Sequence, residues 1–355
     1  MADETTPLIR DCWYVAAASK DVTVGALFAR RLLDVNVVLF RKSDGTISAL
    51  RDRCAHRSYP LSQGKIEADS VVCGYHGFRY DGSGMCTQIP SLPGKCPQGI
   101  SVQSYPVVEK RPFIWIWMGD QAKADVSTLP SRPWMEESDE WGGSDGYLRV
   151  GASYVHLHEN LLDLTHLSFL HEKTFGTPDY ASAPSEFELG EATFAVLRTV
   201  APTTLPAVYA RTTGITGANA ARIVKSTFIS PALHLTEIVV HDRSIPVGQR
   251  RDFHLRTAQI ITPESSDALH YHFAIKRDFA IADVEMSDFI IKSIKAAFDE
   301  DVHCIETIAK LKREEADADF YEHPTYADKA GIEMRRHLKR RADAECAGRA
   351  RDSAA

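Results

Sequence analysis

Two pairs of cysteine and histidine stand close together in the first quarter of the chain. Cys54 is followed by His56, and after sixteen further residues Cys73 is followed by His76. Thiolate sulfur and imidazole nitrogen are ligands for transition metals such as iron and zinc. The pairs are spaced C-x-H and C-x-x-H, whereas structural zinc sites usually pair their cysteines as C-x-x-C. This stretch is therefore a candidate metal centre, and iron is favoured.

The ligand types match an iron–sulfur cluster. In a Rieske [2Fe–2S] centre, two cysteines bind one iron and two histidines bind the other. Neutral imidazoles make such a cluster less negative than four thiolates do, which raises its potential to roughly −150 to +300 mV. Cys54, His56, Cys73 and His76 are thus the predicted cluster ligands, and the cluster would pass single electrons. A zinc site with the same four residues is the alternative.

A second group of candidate ligands lies between residues 156 and 171, where four histidines fall within sixteen residues. Asp163, His166 and His171 are spaced D-x-x-H-x-x-x-x-H. Two histidines and a carboxylate bind one face of the metal in mononuclear non-haem iron(II) enzymes and leave other positions open. His166 and His171 are the predicted imidazole ligands. Five residues turn an α-helix by about 140°, so the helix is predicted to end or bulge between 167 and 171.

The residues around both groups resemble those of a known family. The segments RCAHRSYPLSQG and CGYHGFRYDGSG are similar to the ligand loops of Rieske non-haem iron ring-hydroxylating oxygenases, C-x-H-R and C-x-x-H-G-W/F-x-Y-D. Residues 160–166, NLLDLTH, resemble the N-L-M-D-x-x-H motif of family members such as the vanillate and dicamba O-demethylase oxygenase components. Residues 261–265 also resemble a late strand of the vanillate enzyme. The resemblance extends to the whole chain.

This resemblance implies roles for several acidic residues. The residue corresponding to Asp163 is not an iron ligand; it hydrogen-bonds the ligand histidine beside it and, across a subunit interface, a Rieske histidine. Such a carboxylate orients an imidazole, and Asn160 would lie nearby. The family's carboxylate ligand is the second acid of a Glu-Asp pair that opens a long helical stretch. That pattern favours Asp301 as the third iron ligand, with Asp299 in reserve.

Composition sets broad limits on the class of protein. The chain has 355 residues, of which 44% are hydrophobic and 25% charged, and these fractions are ordinary for a globular protein of about two domains. A net charge of −7 argues against nucleic acid as a partner. The sequence predicts neither a membrane span nor a signal peptide. The cysteines outside the ligand pairs are expected to be reduced thiols in a cytoplasmic protein: Cys12, Cys86, Cys96, Cys304 and Cys346.

The elements that must position these residues form an α+β protein. Short strands and turns predict an N-terminal antiparallel β Rieske [2Fe–2S] domain over residues 1–120, with the ligand loops at hairpin tips. A segment rich in Asp, Ser, Pro and Gly predicts a linker over 121–145, held down by Trp134 and Trp141. Residues 146–355 are the predicted catalytic mononuclear iron domain, a large antiparallel sheet flanked by helices.

Period-two and helical patterns locate the elements of that second domain. Helices are predicted at about 158–170 and 283–315, and His156 and His158 are placed on a strand end. Three arginines, Arg211, Arg222 and Arg256, are candidates to pair with a substrate carboxylate. Strands are predicted near 147–156, 186–200, 222–230, 234–242, 252–262 and 269–277.

The predicted function is the terminal oxygenase component of a Rieske-type aromatic monooxygenase. It would O-demethylate or hydroxylate an aromatic acid with O₂; in O-demethylation, the hydroxylated methoxy carbon is lost as formaldehyde. The resemblance implies electrons from NADH through a flavin/[2Fe–2S] reductase or a ferredoxin, and the chain lacks a G-x-G-x-x-G fingerprint of its own. It also implies a homotrimer that pairs each cluster with the next subunit's iron.

Two other functions remain open at this point. The first is a cis-dihydroxylating aromatic-ring dioxygenase, which would use the same two iron centres. The second is a Rieske electron carrier whose second domain has no oxygenase activity. The set formed by His166, His171 and an acidic residue argues against the carrier.

Overall fold

The structure is a computed structural model that describes residues 8–92, 94, 98–136, 139–315 and 320–352, with side chains described as far as 348. Cys96 and the first seven residues, which entered the predictions above, lie outside this range. The chain divides into two units, one formed by Arg10–Ser131 and the other by the chain from Arg132 onward. The predicted α+β class is confirmed, because an antiparallel β unit precedes a unit with a large antiparallel sheet and helices.

The first unit is built from short strands in three small antiparallel sheets. The sheet orders are β1-β11-β10, β2-β3-β4-β9 and β5-β6-β7-β8. The strands are β1 Trp13–Ala18, β2 Leu27–Leu32, β3 Val35–Arg41, β4 Ile47–Arg51, β5 Lys65–Glu67, β6 Ser70–Val72, β7 Arg79–Tyr80, β8 Cys86–Gln88, β9 Ser104–Tyr105, β10 Val107–Lys110 and β11 Phe113–Trp117.

Turn chemistry fixes the register of the first unit. In the hairpin turn between β3 and β4, Gly45 has φ +85°, and the Asp44 carboxylate accepts hydrogen bonds from the backbone and hydroxyl of Thr46. A glycine tolerates this positive φ without steric cost. The turn therefore directs β4 towards the first ligand loop, which follows directly after Arg51.

The second unit contains one seven-stranded antiparallel sheet in the order β12-β18-β17-β16-β15-β14-β13. Its strands are β12 Gly142–Val150, β13 Ser185–Leu189, β14 Phe194–Thr203, β15 Ala220–Ser230, β16 Leu233–Asp242, β17 Phe253–Pro263 and β18 Leu269–Arg277. Its helices are α1 Tyr154–Leu162, α2 Pro178–Ser182, α3 Ala207–Thr213, α4 Val284–Glu314 and α5 Lys329–Asp352. The predicted long helix at 283–315 is confirmed as α4.

One face of this sheet is covered by helices α1 and α4. The α1 helix packs on β15 and β17, and α4 packs on β12. Aromatic contacts join α4 to the sheet, because the Phe298 ring lies 5.2 Å from that of Tyr271 and 5.1 Å from that of Phe273. Among the described helices, none is both long and apolar enough to cross a membrane. The described cysteines form no disulfide.

Strand β12 begins inside the segment that composition predicted to be linker. Its glycines have a packing role: a Cβ on Gly143 would lie 1.9 Å from the Ile275 carbonyl oxygen, and one on Gly146 would lie 2.3 Å from the Phe273 ring. The strand can therefore approach β18 only because these side chains are absent. The glycine content, which is typical of a loop, here reflects the close packing of two strands. The predicted linker was therefore wrong for residues 142–145.

The helix that precedes the histidine-rich segment also differs from the prediction. His156 and His158 were expected on a strand end, but they lie within α1, which starts at Tyr154. The hydroxyl of Ser153 accepts a hydrogen bond from the backbone N–H of Val155 and caps the helix. The alternating pattern of residues around position 156 therefore gave a wrong prediction of strand. The helix-capping residue Ser153 ends the strand pattern three residues before His156.

Candidate metal centres

The two predicted cluster loops of the first unit share one backbone design. Cys54 donates its N–H to the Tyr59 carbonyl, and the Ser58 N–H donates to the Cys54 carbonyl. Cys73 likewise donates to the Phe78 carbonyl and receives a hydrogen bond from the Gly77 N–H. Ser58 and Gly77 both have positive φ, 58° and 72°. Each loop thus turns sharply four residues after its cysteine, which places cysteine and histidine side by side.

Burial separates the two kinds of ligand. The Cys54 and Cys73 side chains lie in the core of the unit at 3% exposure each, whereas His56 and His76 are exposed with ring centroids 4.5 Å apart. Buried thiols beside paired surface imidazoles suit a cluster with one iron held by sulfur and the other by nitrogen. The donor set therefore fits a Rieske [2Fe–2S] cluster whose histidine edge faces outward.

Tyr80 lies beneath the first loop and contacts Cys54. Its hydroxyl is 3.2 Å from the Cys54 sulfur and accepts a hydrogen bond from the Ala55 N–H at 3.2 Å. Burial, followed by the contact with Cys54, raises the pKa of Tyr80 well above its usual value. A thiolate bound to iron can only accept, so the tyrosine O–H donates to the sulfur. This hydrogen bond stabilises negative charge on the cluster.

A break in the helix at Asp163 shapes the second site. The α1 helix ends at Leu162, and a 3₁₀ helix follows over Leu164–Ser168. Asp163 caps the 3₁₀ helix, because its carboxylate accepts hydrogen bonds from the Thr165 N–H at 2.8 Å and hydroxyl at 2.6 Å. A break separates the two histidines as predicted, but its predicted position between 167 and 171 was wrong, because the α-helix already ends at Leu162. His171 follows in an irregular turn, and its carbonyl accepts the Phe175 N–H at 3.0 Å.

These turns bring His166 and His171 against Asp301, which lies on α4. The Asp301 Oδ1 atom is 3.4 Å from Nε2 of His166 and 3.1 Å from Nε2 of His171. One ligand atom from each residue falls within 4.8 Å of the others, the sole such trio found in the described part of the chain. Two imidazoles and a carboxylate on one side of a shared point fit a mononuclear non-haem iron.

Both imidazoles direct their Nε2 atom towards Asp301. His166 Nδ1 lies 2.5 Å from the Asp163 carbonyl oxygen, and His171 Nδ1 lies 2.7 Å from the Glu300 carboxylate. Carbonyl and carboxylate oxygens only accept hydrogen bonds, so each Nδ1 carries the proton and each Nε2 is free to bind a cation. The tautomer of both rings is thus fixed by the surrounding protein.

Charge at the site also favours a cation. Burial opposes ionisation of Asp301, but hydrogen bonds and charges from His166 and His171 outweigh it and lower the pKa of the carboxyl to about 2. Burial lowers the pKa of His171, whereas Asp301 and Glu300 raise it, and the net pKa is raised. Asp301 is therefore a buried anion near neutral pH, which is the state required of a metal ligand.

The other predicted acids occupy different positions. Asp299, the reserve ligand, lies on the exposed side of α4 and pairs with Lys295 at 2.8 Å. Asn160 donates a hydrogen bond from Nδ2 to Asp301 Oδ1 at 3.1 Å, as its predicted place beside the site required. Asp163 contacts His166 through its backbone carbonyl, whereas a side-chain contact was expected. Its carboxylate is engaged by Thr165 instead, because it caps the 3₁₀ helix.

Sequence reasoning missed Glu300, although it contacts His171 directly. The only signal was its position next to Asp301, and an acid on an exposed helix face gives the same pattern. The three arginines proposed for a substrate carboxylate each contact another group of the protein. Arg256 pairs with Glu237 at 3.2 Å, Arg222 is buried against the Phe175 carbonyl, and Arg211 stacks over Phe289 at 4.0 Å.

Comparison with protein families decides the class of the chain. The Rieske [2Fe-2S] domain matches residues 12–106, and the vanillate O-demethylase oxygenase C-terminal domain matches residues 150–344. The second match alone covers more than half of the chain. The chain belongs to the Rieske non-haem iron oxygenases. The resemblance on which the predictions were based is thereby confirmed.

Individual relatives of this Rieske oxygenase cover nearly its whole length. The toluene-4-sulfonate monooxygenase system iron-sulfur subunit TsaM1 of Comamonas testosteroni is 34% identical over 93% of this chain and 95% of its own. The dicamba O-demethylase oxygenase component of Stenotrophomonas maltophilia is 32% identical over 86% and 89%. A crystal structure of dicamba monooxygenase bound to 3,6 dichlorosalicylic acid superposes with a TM-score of 0.90 at 28% identity, covering 96% and 99%.

Family membership identifies the cofactors and the kind of partner. The Rieske oxygenases use a [2Fe–2S] cluster and a mononuclear iron, and a further dicamba monooxygenase structure is described as containing non-heme iron. The enzyme is an oxidoreductase that works as the oxygenase component of a multicomponent system. Its electrons come from a reductase or ferredoxin partner.

Replacement of Tyr80 by Phe should lower the midpoint potential of the cluster by on the order of 50 mV. The lost hydrogen bond to sulfur is worth about 1–1.5 kcal/mol in the more negative reduced state, and 59 mV corresponds to tenfold for one electron. A redox titration followed by electron paramagnetic resonance measures the shift. Tyr105→Phe is the control, because Tyr105 is buried in the same unit and bonds Gln103. Equal potentials in wild type and Tyr80→Phe would refute the contact.

Replacement of His166 by Ala should remove the mononuclear iron and leave the cluster intact. One imidazole of the three candidate ligands is lost, whereas the candidate cluster ligands lie in the other unit. Metal analysis should show iron only in proportion to acid-labile sulfide, with an unchanged visible spectrum. His303→Ala, an exposed histidine on α4, serves as the control. Loss of the cluster spectrum together with the iron would contradict two separate sites.

Proposed function

We propose that this Rieske oxygenase inserts one oxygen atom into an aromatic acid, either by O-demethylation of a methoxy group or by hydroxylation of a methyl group or ring. The observation that carries the proposal is the trio of His166, His171 and Asp301, whose ligand atoms converge while the same chain carries the cluster loops. A carrier of electrons has no need of the trio. An oxygenase needs both centres.

The named relatives support the substrate class. One takes its name from toluene-4-sulfonate, and another was crystallised with 3,6 dichlorosalicylic acid. Both compounds are aromatic rings with an acidic group. We extend this class, and not a particular compound, to this chain. The overall reaction consumes substrate, O₂, two electrons and two protons and yields hydroxylated substrate and water.

The residues have distinct proposed roles in this reaction. His166, His171 and Asp301 bind the mononuclear iron, and Cys54, His56, Cys73 and His76 bind the cluster. The cluster supplies single electrons and the mononuclear iron supplies O₂ activation. Asn160 orients Asp301 through its hydrogen bond at 3.1 Å. The low exposure of His171 and Asp301, 5% and 7% of the side chain, limits water beside these ligands.

We also propose the division of labour along the chain and between chains. Residues 1–120 act as the Rieske domain and the chain from Gly142 onward as the catalytic domain, with residues 121–141 as the connection. Three copies form a head-to-tail ring in which the cluster of one subunit serves the iron of the next.

NADH is the electron source through a flavin-containing reductase or a ferredoxin. Free thiols among the described cysteines are compatible with a cytoplasmic location.

Product analysis across a panel of methoxy-, methyl- and hydroxybenzoates, with toluene-4-sulfonate, tests the activity. With NADH and a surrogate reductase, O-demethylation should release formaldehyde in equal amount to the hydroxybenzoate product. Methyl hydroxylation should give a hydroxymethyl product without formaldehyde. One atom from ¹⁸O₂ should enter the aromatic product of hydroxylation, whereas in O-demethylation it should enter the released formaldehyde and not the hydroxybenzoate. His166→Ala should form no product. A cis-diol that carries two labelled atoms would instead establish the dioxygenase alternative, and NADH oxidation without any product would reject both.

Asp163 is the proposed link between the cluster of one subunit and the iron of the next. Its carbonyl fixes His166 and its carboxylate lies at the same bend, so Asp163→Asn keeps the shape and removes the charge. We expect the variant cluster to be reduced at the wild-type rate in rapid mixing, while product formed per reduced cluster slows by about 10–100-fold.

The control for Asp163→Asn is Glu172→Gln, because Glu172 is an exposed acid beside His171 in the chain. It should transfer electrons at the wild-type rate. Sedimentation should show a trimer for the wild type and both variants. A fully active Asp163→Asn protein, or a monomeric wild-type chain that turns over, would rule out the bridging role.

A further inference from the structure

Glu300 and Asp301 are neighbours on α4, yet they contact opposite nitrogen atoms of a single imidazole. The Glu300 carboxylate lies 2.7 Å from Nδ1 of His171, and Asp301 Oδ1 lies 3.1 Å from Nε2 of the same ring. Consecutive helix residues are about 100° apart around the axis, so the ring edge fits between the two side chains. Two consecutive residues of α4 therefore contact the two ring nitrogens of His171.

We propose that Glu300 is a positioning residue that orients His171 and sets the affinity of the mononuclear site for iron. The inference rests on the ligand assignment proposed above and adds a residue to it. A carboxylate that accepts the remote N–H of a metal-binding imidazole fixes its tautomer and orientation and increases the basicity of the other nitrogen. Glu300 supplies this carboxylate for His171.

The two histidines of the site differ in this respect. His166 donates its Nδ1 proton to a neutral backbone carbonyl, that of Asp163, whereas His171 donates to a charged carboxylate. A charged acceptor forms the stronger hydrogen bond. His171 therefore donates the stronger of the two Nδ1 hydrogen bonds, and its orientation depends on a side chain that can be replaced.

A second contact anchors the Glu300 carboxylate to the turn that carries His171. Glu300 Oε2 also accepts a hydrogen bond from the Thr174 hydroxyl at 3.0 Å, and the Thr174 N–H donates to the His171 carbonyl at 2.9 Å. The same carboxylate oxygen thus receives the ring and the turn behind it. This arrangement fixes the ring against α4 before any metal binds.

The alternative interpretation is that Glu300 is an acidic residue on a solvent-exposed face of α4. Its neighbour Asp299 shows the contacts that such a residue makes. Asp299 has a side chain that is 53% exposed and pairs with Lys295 one turn earlier. Glu300 is 31% exposed, and within the described residues its carboxylate pairs with His171 rather than with a lysine or arginine. Partial exposure to solvent weakens the hydrogen bond between Glu300 and His171. The expected effect of Glu300 on metal affinity therefore lies in the lower part of the range that is usual for a carboxylate behind a metal-binding histidine.

The test compares Glu300→Gln and Glu300→Ala with Asp299→Asn as the matched control. Anaerobic titration of each iron-depleted protein with Co(II), followed calorimetrically and by visible absorption, gives the metal dissociation constant. We expect this constant to rise about 10–100-fold in both Glu300 variants, with an unchanged cluster spectrum. Asp299→Asn should bind Co(II) as the wild type does, and His166→Ala should not bind it at this site.

The comparison between the two Glu300 variants keeps a folding effect apart from a positioning effect. Glutamine retains an acceptor in the same place, so the metal-free Glu300→Gln protein should unfold at the wild-type temperature while its affinity falls. Wild-type affinity in both variants would overturn the proposal. So would a lowered unfolding temperature of the metal-free variants with unchanged affinity, because that pattern describes a purely structural contact.

Failure of this inference is distinguishable from failure of the proposed function. A wild-type protein that forms product, with Glu300 variants that bind Co(II) normally, would remove only the role of Glu300. Weakened Co(II) binding in the variants of a protein that forms no aromatic product would leave the role of Glu300 standing and remove the activity. The metal titration does not depend on turnover.

Discussion

The oxygenase site depends on the end of one helix at Asp163. A continuous α-helix would turn His171 about 140° away from His166, and the two rings could not share a metal. Asp163 stops α1, caps the following 3₁₀ helix with its carboxylate, and holds the His166 ring with its carbonyl. A single residue thereby sets the backbone path and the tautomer of the first imidazole. The convergence of the two histidines follows from that bend.

The third side of the site comes from α4, whose Asp301 lies 130 residues beyond His171 in sequence. Here packing decides, since Phe298 inserts against Tyr271 and Phe273 one turn before Asp301. That contact fixes the rotation of the helix and turns Asp301 inward while Asp299 remains in solvent. An aromatic residue, rather than either acid, therefore determines which of the two acidic side chains faces inward. The hydrogen bond from Asn160 and the two neighbouring imidazoles then favour the charged form of the buried carboxylate.

Local chemistry explains which features could be predicted from sequence. The cluster loops and α4 each depend on residues close together in the chain, and their sequence patterns were sufficient to predict them. Contacts between distant residues were not visible in the same way. Gly143 appeared to belong to a linker, because the strand it approaches lies more than a hundred residues away. Glu300 had the pattern of a surface acid until the turn around His171 was known.

The two iron environments differ in the property that each task requires. His56 and His76 lie in solvent, where a redox partner can approach and where the surrounding water compensates a change in cluster charge. His171 and Asp301 are almost fully buried, so the charge of the carboxylate is screened little and binds a cation strongly. The exposed imidazoles need only a stable loop, and two matched hairpins supply it. The rings of His166 and His171 need a fixed orientation. The residues around them supply a hydrogen-bond acceptor for each Nδ1 proton.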